Sequence, residues 1–271
     1  GPGRRETGML MKLIDAAERL SVQAHPTRAD AMRFFQSPFG KTECWHILGG
    51  RSVDGQPPCI YFGFKAGVTR EEWARLFYAQ DIPGMLNCLH RLEVQPGETY
   101  LIHGGVPHAI GGGCLMLETQ EPSDLMVVPE RYTPSGVKLD ERKLHGGLGF
   151  ERMYDCFCYD GADEETSRRR FFRQPQALDA HFSRYVDSAE NGIFSVVTCE
   201  TKETARHTFQ EPFAISVVTE GAGEITLDGE IKPIRRGDRL LLLGLQDQAL
   251  TLTPEREGLS MVFALPAPEK T

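Results

Sequence analysis

Leu20-Ser21-Val22-Gln23-Ala24-His25-Pro26, taken with Gly40-Lys41-Thr42-Glu43-Cys44-Trp45 and Pro107-His108-Ala109-Ile110-Gly111, decides how the rest of the chain is read. Each segment lies in or beside an apolar, strand-like run, where an unpaired polar side chain is costly to bury. Side chains alternate along a strand, so Ser21, Gln23 and His25 share one face of Leu20 to Ala24 and its flank, and Gln23 and His25 reach one point. On the strand from Lys41 to Leu48, Glu43 and Trp45 point one way, Cys44 and His46 the other. Gln23, His25, Glu43 and His108 together offer an amide oxygen, two imidazoles and a carboxylate. Nitrogen and oxygen donors without sulfur suit a single zinc ion with open positions, while manganese, cobalt and iron remain tolerable.

Working outward, Met9 to Leu13 reads as a strand after a loop over residues 1–6. Thr27 caps a short helix ending at Phe35. Cys59 to Phe64 is a strand; Thr69-Arg70-Glu71-Glu72 is a capping-box pattern opening a helix with Trp73, Leu76 and Phe77 on its apolar stripe, and Met85, Leu86 and Leu89 mark a second helix. From Leu92 short strands alternate with Gly and Pro: Leu92 to Val94, Thr99 to Ile102, Pro107 to Ile110, Cys114 to Gln120. Small closed barrels need such corners. Met153 to Tyr159 reads as a strand, which would turn Cys156 and Cys158 to one side, and Asp160 to Arg170 as a polar connecting stretch. The barrel rhythm then returns in Ile193 to Glu200, Phe213 to Val218, Ile225 to Leu227, Leu240 to Leu243, Ala249 to Leu252 and Leu259 to Leu265. The expected fold is mainly β, two small barrels with a short helical insertion in the first. Residues 1–158 form a metal-binding lobe and 159–271 a second lobe, which offers only His207 near its turn motifs and is expected to be metal-free.

Composition narrows the function. With 271 residues the chain can bury a large core, and a net charge of -8 with pI near 5.6 gives a field of the wrong sign for nucleic acid. Arg168-Arg169-Arg170 and Arg235-Arg236 are too short to reverse it and read as solvated faces. Seven cysteines without paired spacing argue against a disulfide framework or thiolate zinc site and fit a reducing cytoplasm. No apolar run is long enough for a membrane span. Gly40-Lys41-Thr42 ends like a phosphate-binding loop, but the required upstream glycine falls at Phe35.

Ser21 to Pro26, Gly40 to Trp45, Val94-Gln95-Pro96-Gly97-Glu98, Pro107 to Gly111 and Glu118-Thr119-Gln120-Glu121-Pro122-Ser123-Asp124 together resemble the type I phosphomannose isomerases of the cupin superfamily, in that family's order. The resemblance implies a bicupin, zinc held by Gln23, His25, Glu43 and His108, and carbohydrate chemistry that interconverts mannose 6-phosphate and fructose 6-phosphate through an enediol. Such an isomerase needs a cation to polarise the oxygens at the reacting carbons and a group to carry the proton; Lys41, Glu118 and a water on the ion are the alternatives. Ser123 is a candidate phosphate contact. The family's arginine, five residues after that serine, is replaced by Val128, with Arg131 nearby as a substitute by shifted register. This departure motivates the alternative of a non-catalytic sugar-phosphate binder; an oxygenase is disfavoured because Gln23 stands where another imidazole would be needed. Relative to the family the chain looks shortened at its N-terminus. The expected partner is a small sugar phosphate, with the chain a monomer or homodimer.

Overall fold

The structure, a computed structural model, describes residues 6–246 and 248–268, so most of the loop expected over residues 1–6 lies outside the described residues. Strands dominate, at 43 % of residues against 18 % in helices, which bears out the mainly β expectation. The chain divides into two compact units, one running from Lys12 to Phe172 and the other holding the remaining described residues.

In the Lys12–Phe172 unit, one sheet runs in the order β1 (Leu10–Asp15), β7 (Cys114–Gln120), β2 (Glu43–Gly50), β5 (Thr99–Ile102), and a second in the order β4 (Leu89–Glu93), β3 (Cys59–Phe64), β6 (His108–Ile110). Trp45, Ile47, Ile60, Phe62, Tyr100, Ile102, Ile110 and Met116 fill the space between them, burial that supplies the main driving force for closing the barrel. The helical insertion packs a second core on the barrel. Thr69 accepts from Glu72 N to start α2 (Arg70–Ala79), whose Trp73, Leu76 and Phe77 join Met85 of α3 (Ile82–Asn87), Phe64 and Phe157. Thr27 caps α1 (Arg28–Phe35) as the sequence predicts, its hydroxyl oxygen accepting from Asp30 N.

Three local expectations are corrected. Leu20 to Ala24 is not a full strand; it holds only two isolated bridges, Gln23 with His108 and Ala24 with Val127. Met153 to Tyr159 is not extended: a short helix ends at Met153 and a 3-10 turn covers Tyr154–Cys156, so Cys156 is buried and Cys158 exposed. Asp160 to Arg170 is not simple connection either, since residues Glu164–Phe171 form a helix. Asp163 caps it by accepting from Thr166 N, Glu164 and Glu165 lie in the first turn and Arg168, Arg169 and Arg170 in the last, each sign where the helix dipole favours it. A single apolar anchor, Phe171, gave the sequence too little periodicity to reveal it.

After the two-residue strand β8 (Phe172–Arg173), the second unit is one sheet in the order β14 (Glu230–Arg235), β13 (Phe213–Leu227), β16 (Ala249–Pro266), β11 (Phe194–Thr201), β10 (Phe182–Val186), β9 (Gln176–Ala177), with β12 (Ala205–Thr208) on β16 and β15 (Arg239–Leu243) on β13. The sequence splits both β13 and β16 into two strands, whereas each is continuous and bent. The register of β13 on β16 shifts between Val218 and Glu220 and again between Gly221 and Gly223, and the bend is carried by Gly221 at φ +74°. Among the described residues no helix is long and apolar enough to cross a membrane.

A Cβ at residue 221 would overlap the Gly258 carbonyl oxygen, while one at Gly229, with φ +75°, would meet open space. Gly221→Ala should therefore cost about 3 kcal/mol and Gly229→Ala about 1 kcal/mol, read as the shift in urea midpoint. Equal losses would show that the backbone angle alone, and not the close approach of β13 to β16, fixes the bend.

Candidate metal centre

The strand β2 brings Glu43 into the barrel, completely buried, between the two imidazoles. His25 follows the bridge segment and His108 opens β6. Each ring is fixed through its outer nitrogen: His25 Nδ1 bonds the Leu125 carbonyl at 2.9 Å, and His108 Nδ1 bonds the Val106 carbonyl at 2.8 Å. A carbonyl can only accept, so both Nδ1 atoms carry the proton and both Nε2 lone pairs face inward. His25 Nε2 lies 3.3 Å from Glu43 Oε2 and His108 Nε2 lies 3.2 Å from Glu43 Oε1. The ligating atoms of the three residues all fall within 4.8 Å of one another.

This arrangement fits a cation. Glu43 Oε1 and His108 Nε2 are buried without a hydrogen-bond partner, two electron pairs facing each other across 3.2 Å. Burial lowers His108 to about 3, against the opposing pull of Glu43, and lowers His25 as well, so both rings stay neutral and able to ligate. Burial alone would raise Glu43, but the positive groups that face it oppose this and hold the carboxyl below its usual range; with both rings neutral, the charge among them is the Lys41 ammonium. The fourth expected ligand, Gln23, pairs with His108 through both backbone bonds, Gln23 N to His108 O at 2.9 Å and His108 N to Gln23 O at 2.8 Å. Directly paired residues turn their side chains to one face, so the backbone pairing sets Gln23 on the same face as His108.

Of the residues proposed for chemistry, Lys41 and Glu118 join the centre. The Lys41 ammonium lies 2.5 Å from Glu43 Oε2, 2.9 Å from His25 Nε2 and 3.9 Å from Glu118 Oε1. Glu118 Oε2 accepts from Trp45 Nε1 at 3.3 Å, and burial raises its carboxyl, with the charge of Glu43 adding and Lys41 and Lys12 opposing. Ser123 donates to the Gly40 carbonyl at 2.5 Å, tying the turn after β7 to the start of β2. Arg131 lies elsewhere, its guanidinium 5.0 Å from the centres of both the Phe77 and Phe150 rings, and Val128 is buried with its N–H on the Leu144 carbonyl.

The sequence reading missed Lys12. Its ammonium lies 3.6 Å from Glu118 Oε1 and 3.3 Å from Asp124 Oδ1, so it faces the same carboxylate as Lys41. The available signal was a lone cation within Leu10-Met11-Lys12-Leu13-Ile14, an otherwise apolar strand.

The fold and the buried His–Glu–His group define a mainly β protein with a candidate metal centre in its Lys12–Phe172 unit, an architecture consistent with the cupin fold. No family model matches the chain. Among curated proteins it is similar to the mannose-6-phosphate isomerase ManA of Bacillus subtilis, 29 % identical over 234 residues that span 86 % of this chain and 68 % of the relative. The mannose-6-phosphate isomerase of Streptococcus mutans is 28 % identical over 86 % of this chain and 67 % of its own length. Among solved structures, the mannose 6-phosphate isomerase of Bacillus subtilis superposes with a TM-score of 0.74 at 23 % identity, covering 94 % of this chain and 74 % of that one. A phosphomannose isomerase of Salmonella typhimurium gives 0.73 at 13 % identity, covering 97 % and 80 %. The resemblance to isomerases of this kind is borne out.

Zinc supplied at about 100 times its dissociation constant should stabilise the protein by about 2.7 kcal/mol, seen as a rise in unfolding temperature. His108→Ala should abolish that rise. An unchanged rise in this variant would place the ion elsewhere.

Proposed function

We propose that the chain is a zinc-dependent aldose-ketose isomerase interconverting mannose 6-phosphate and fructose 6-phosphate, acting in the cytoplasm. The observation that carries this reading is the pairing of a buried N,O metal centre with a second carboxylate, Glu118, held beside two ammonium groups. A bound zinc ion would polarise the oxygens on the two reacting carbons and stabilise the negative charge that develops there.

The protein's own groups would do the rest. Gln23, His25, Glu43 and His108 hold the ion. Glu118 serves as the base: its raised carboxyl takes the proton from one sugar carbon and returns it to the neighbouring carbon, so the net change is a hydrogen moved from C2 to C1 together with a hydroxyl proton moved from O2 to O1, or the reverse. Trp45 Nε1 fixes Glu118 Oε2 and leaves Oε1 facing Lys12 and Lys41. Lys41 donates to the sugar oxygen that gains charge as the proton leaves, and Ser123 keeps the Gly40–Lys41 segment in place. Arg131 acts at most through the packing of α2, since its charge sits over aromatic rings. The non-catalytic alternative rested on Val128 alone, and the relatives found by comparison are named as isomerases.

A coupled assay of the zinc-loaded protein should show fructose 6-phosphate formed from mannose 6-phosphate. Glu118→Gln should reduce kcat by roughly 10²–10⁴ with a much smaller change in KM, the range expected for loss of a proton-transfer group. No product from fully loaded wild-type protein would reject the reading; a Glu118→Gln variant with normal kcat would move the base to another residue.

A further inference from the structure

The Lys41 ammonium occupies two of the atoms that the centre offers to a metal. It bonds His25 Nε2 and Glu43 Oε2, while Glu43 Oε1 and His108 Nε2 on the other side of the carboxylate stay unpartnered. An ammonium there answers the charge of a carboxylate with no access to water, and the side chain of Lys41 is itself almost entirely buried. A divalent ion and an ammonium cannot both use the single lone pair of His25 Nε2, and two cations at contact on Glu43 repel. The other carboxylate within reach is Glu118, whose Oε1 is already 3.9 Å from Lys41 Nζ, so a swing of about an ångström makes a hydrogen-bonded ion pair.

We propose that Lys41 is a resident substitute for the metal, displaced on loading from Glu43 and His25 to Glu118, so that binding of the ion itself assembles the Lys41–Glu118 pair used in proton transfer. This rests on the metal-centre reading above but not on turnover. The metal-free protein then keeps Glu43 compensated and folded. The loaded protein places the ammonium beside the base, where it lowers the cost of the charge that Glu118 carries before it takes a proton. Lys12, 3.6 Å from the same Oε1, keeps a positive charge beside that oxygen while Lys41 is engaged with Glu43.

The test reads zinc affinity, by competition with a chromophoric chelator, in wild type, Lys41→Met, Glu118→Gln and the double variant. Removing the resident ammonium should tighten zinc binding by about tenfold or more, because charge-assisted hydrogen bonds no longer have to be broken. Glu118→Gln should weaken it by about fivefold through loss of the destination, and that effect should vanish in the Lys41→Met background. Metal-free Lys41→Met should also unfold at a lower temperature than metal-free wild type, with a smaller gap between the two zinc-loaded proteins. Lys41→Gln, which keeps a donor at that depth, takes the place of the methionine variant where the latter does not fold. Unchanged or weaker zinc binding without Lys41, or an equal Glu118→Gln effect in both backgrounds, would overturn the handover. Loss of turnover with these affinities intact would instead count against the isomerase reading alone.

Discussion

The Glu43 carboxylate, buried with no access to solvent, is the constraint on which the first unit depends. A charge that deep costs several kcal/mol to desolvate, and removal of its partners leaves a penalty of about 3–5 kcal/mol. The barrel answers by aiming two neutral imidazoles and one ammonium at it. Neutral imidazoles cannot discharge a carboxylate. Their burial, which suppresses protonation, leaves a surplus of electron pairs at the centre, and a divalent ion resolves that surplus more completely than Lys41, which reaches only one of the two carboxylate oxygens.

The fold supplies the precision. Strand β2 is hydrogen-bonded on both sides, Glu43 standing opposite Ile102 of β5 and Gln120 of β7, so its backbone has little freedom. Trp45 faces Glu118 across the β2–β7 ladder, which explains why the indole is in place to orient that carboxylate. His25 and His108 are not on neighbouring strands of that ladder. They meet because the Gln23 bridge crosses to the start of β6, and the two rings come to 4.8 Å between centroids. The turn after β7 closes the arrangement, Leu125 orienting His25 and Ser123 holding Gly40.

Much of this was legible in the chain because alternation and capping are local. Strands β3, β5 and β7 fall where turn residues and apolar runs place them, and Thr27 and Thr69 cap the helices they precede. The three candidate ligands His25, Glu43 and His108 could be grouped from donor chemistry, although the strand phase assumed for His25 belongs to two isolated bridges. The long-range facts were not legible. Nothing local distinguishes β13 from two strands, because Gly221 and Gly223 look like a turn until β16 is seen to follow the same bend. Lys12 lies 106 residues from Glu118 and carries no motif, so only the β1–β7 pairing reveals that it shares the site. The surroundings of Arg131 were not legible either: proximity in sequence to Val128 says nothing about a guanidinium drawn to the rings of Phe77 and Phe150.

Four buried glutamates illustrate how a site differs from a set of structural ion pairs. Glu130 accepts from both terminal nitrogens of Arg19 and from Val22 N, and Glu121 accepts from Arg28 Nε and Thr42 N, so both have partners on each oxygen. Each pins one of the three segments that carry candidate ligands: Val22 precedes Gln23 and His25, and Thr42 precedes Glu43. They are latches, and their electron pairs are spent. Glu43 keeps one oxygen with no hydrogen-bond partner, and Glu118 faces two ammonium groups at 3.6 and 3.9 Å, beyond a direct hydrogen bond. The same residue type at similar depth therefore divides by saturation. The saturated pair ties down segments around the candidate centre, and the unsaturated pair keeps oxygen lone pairs open to a cation or a proton, the feature that separates a candidate site from a set of structural ion pairs.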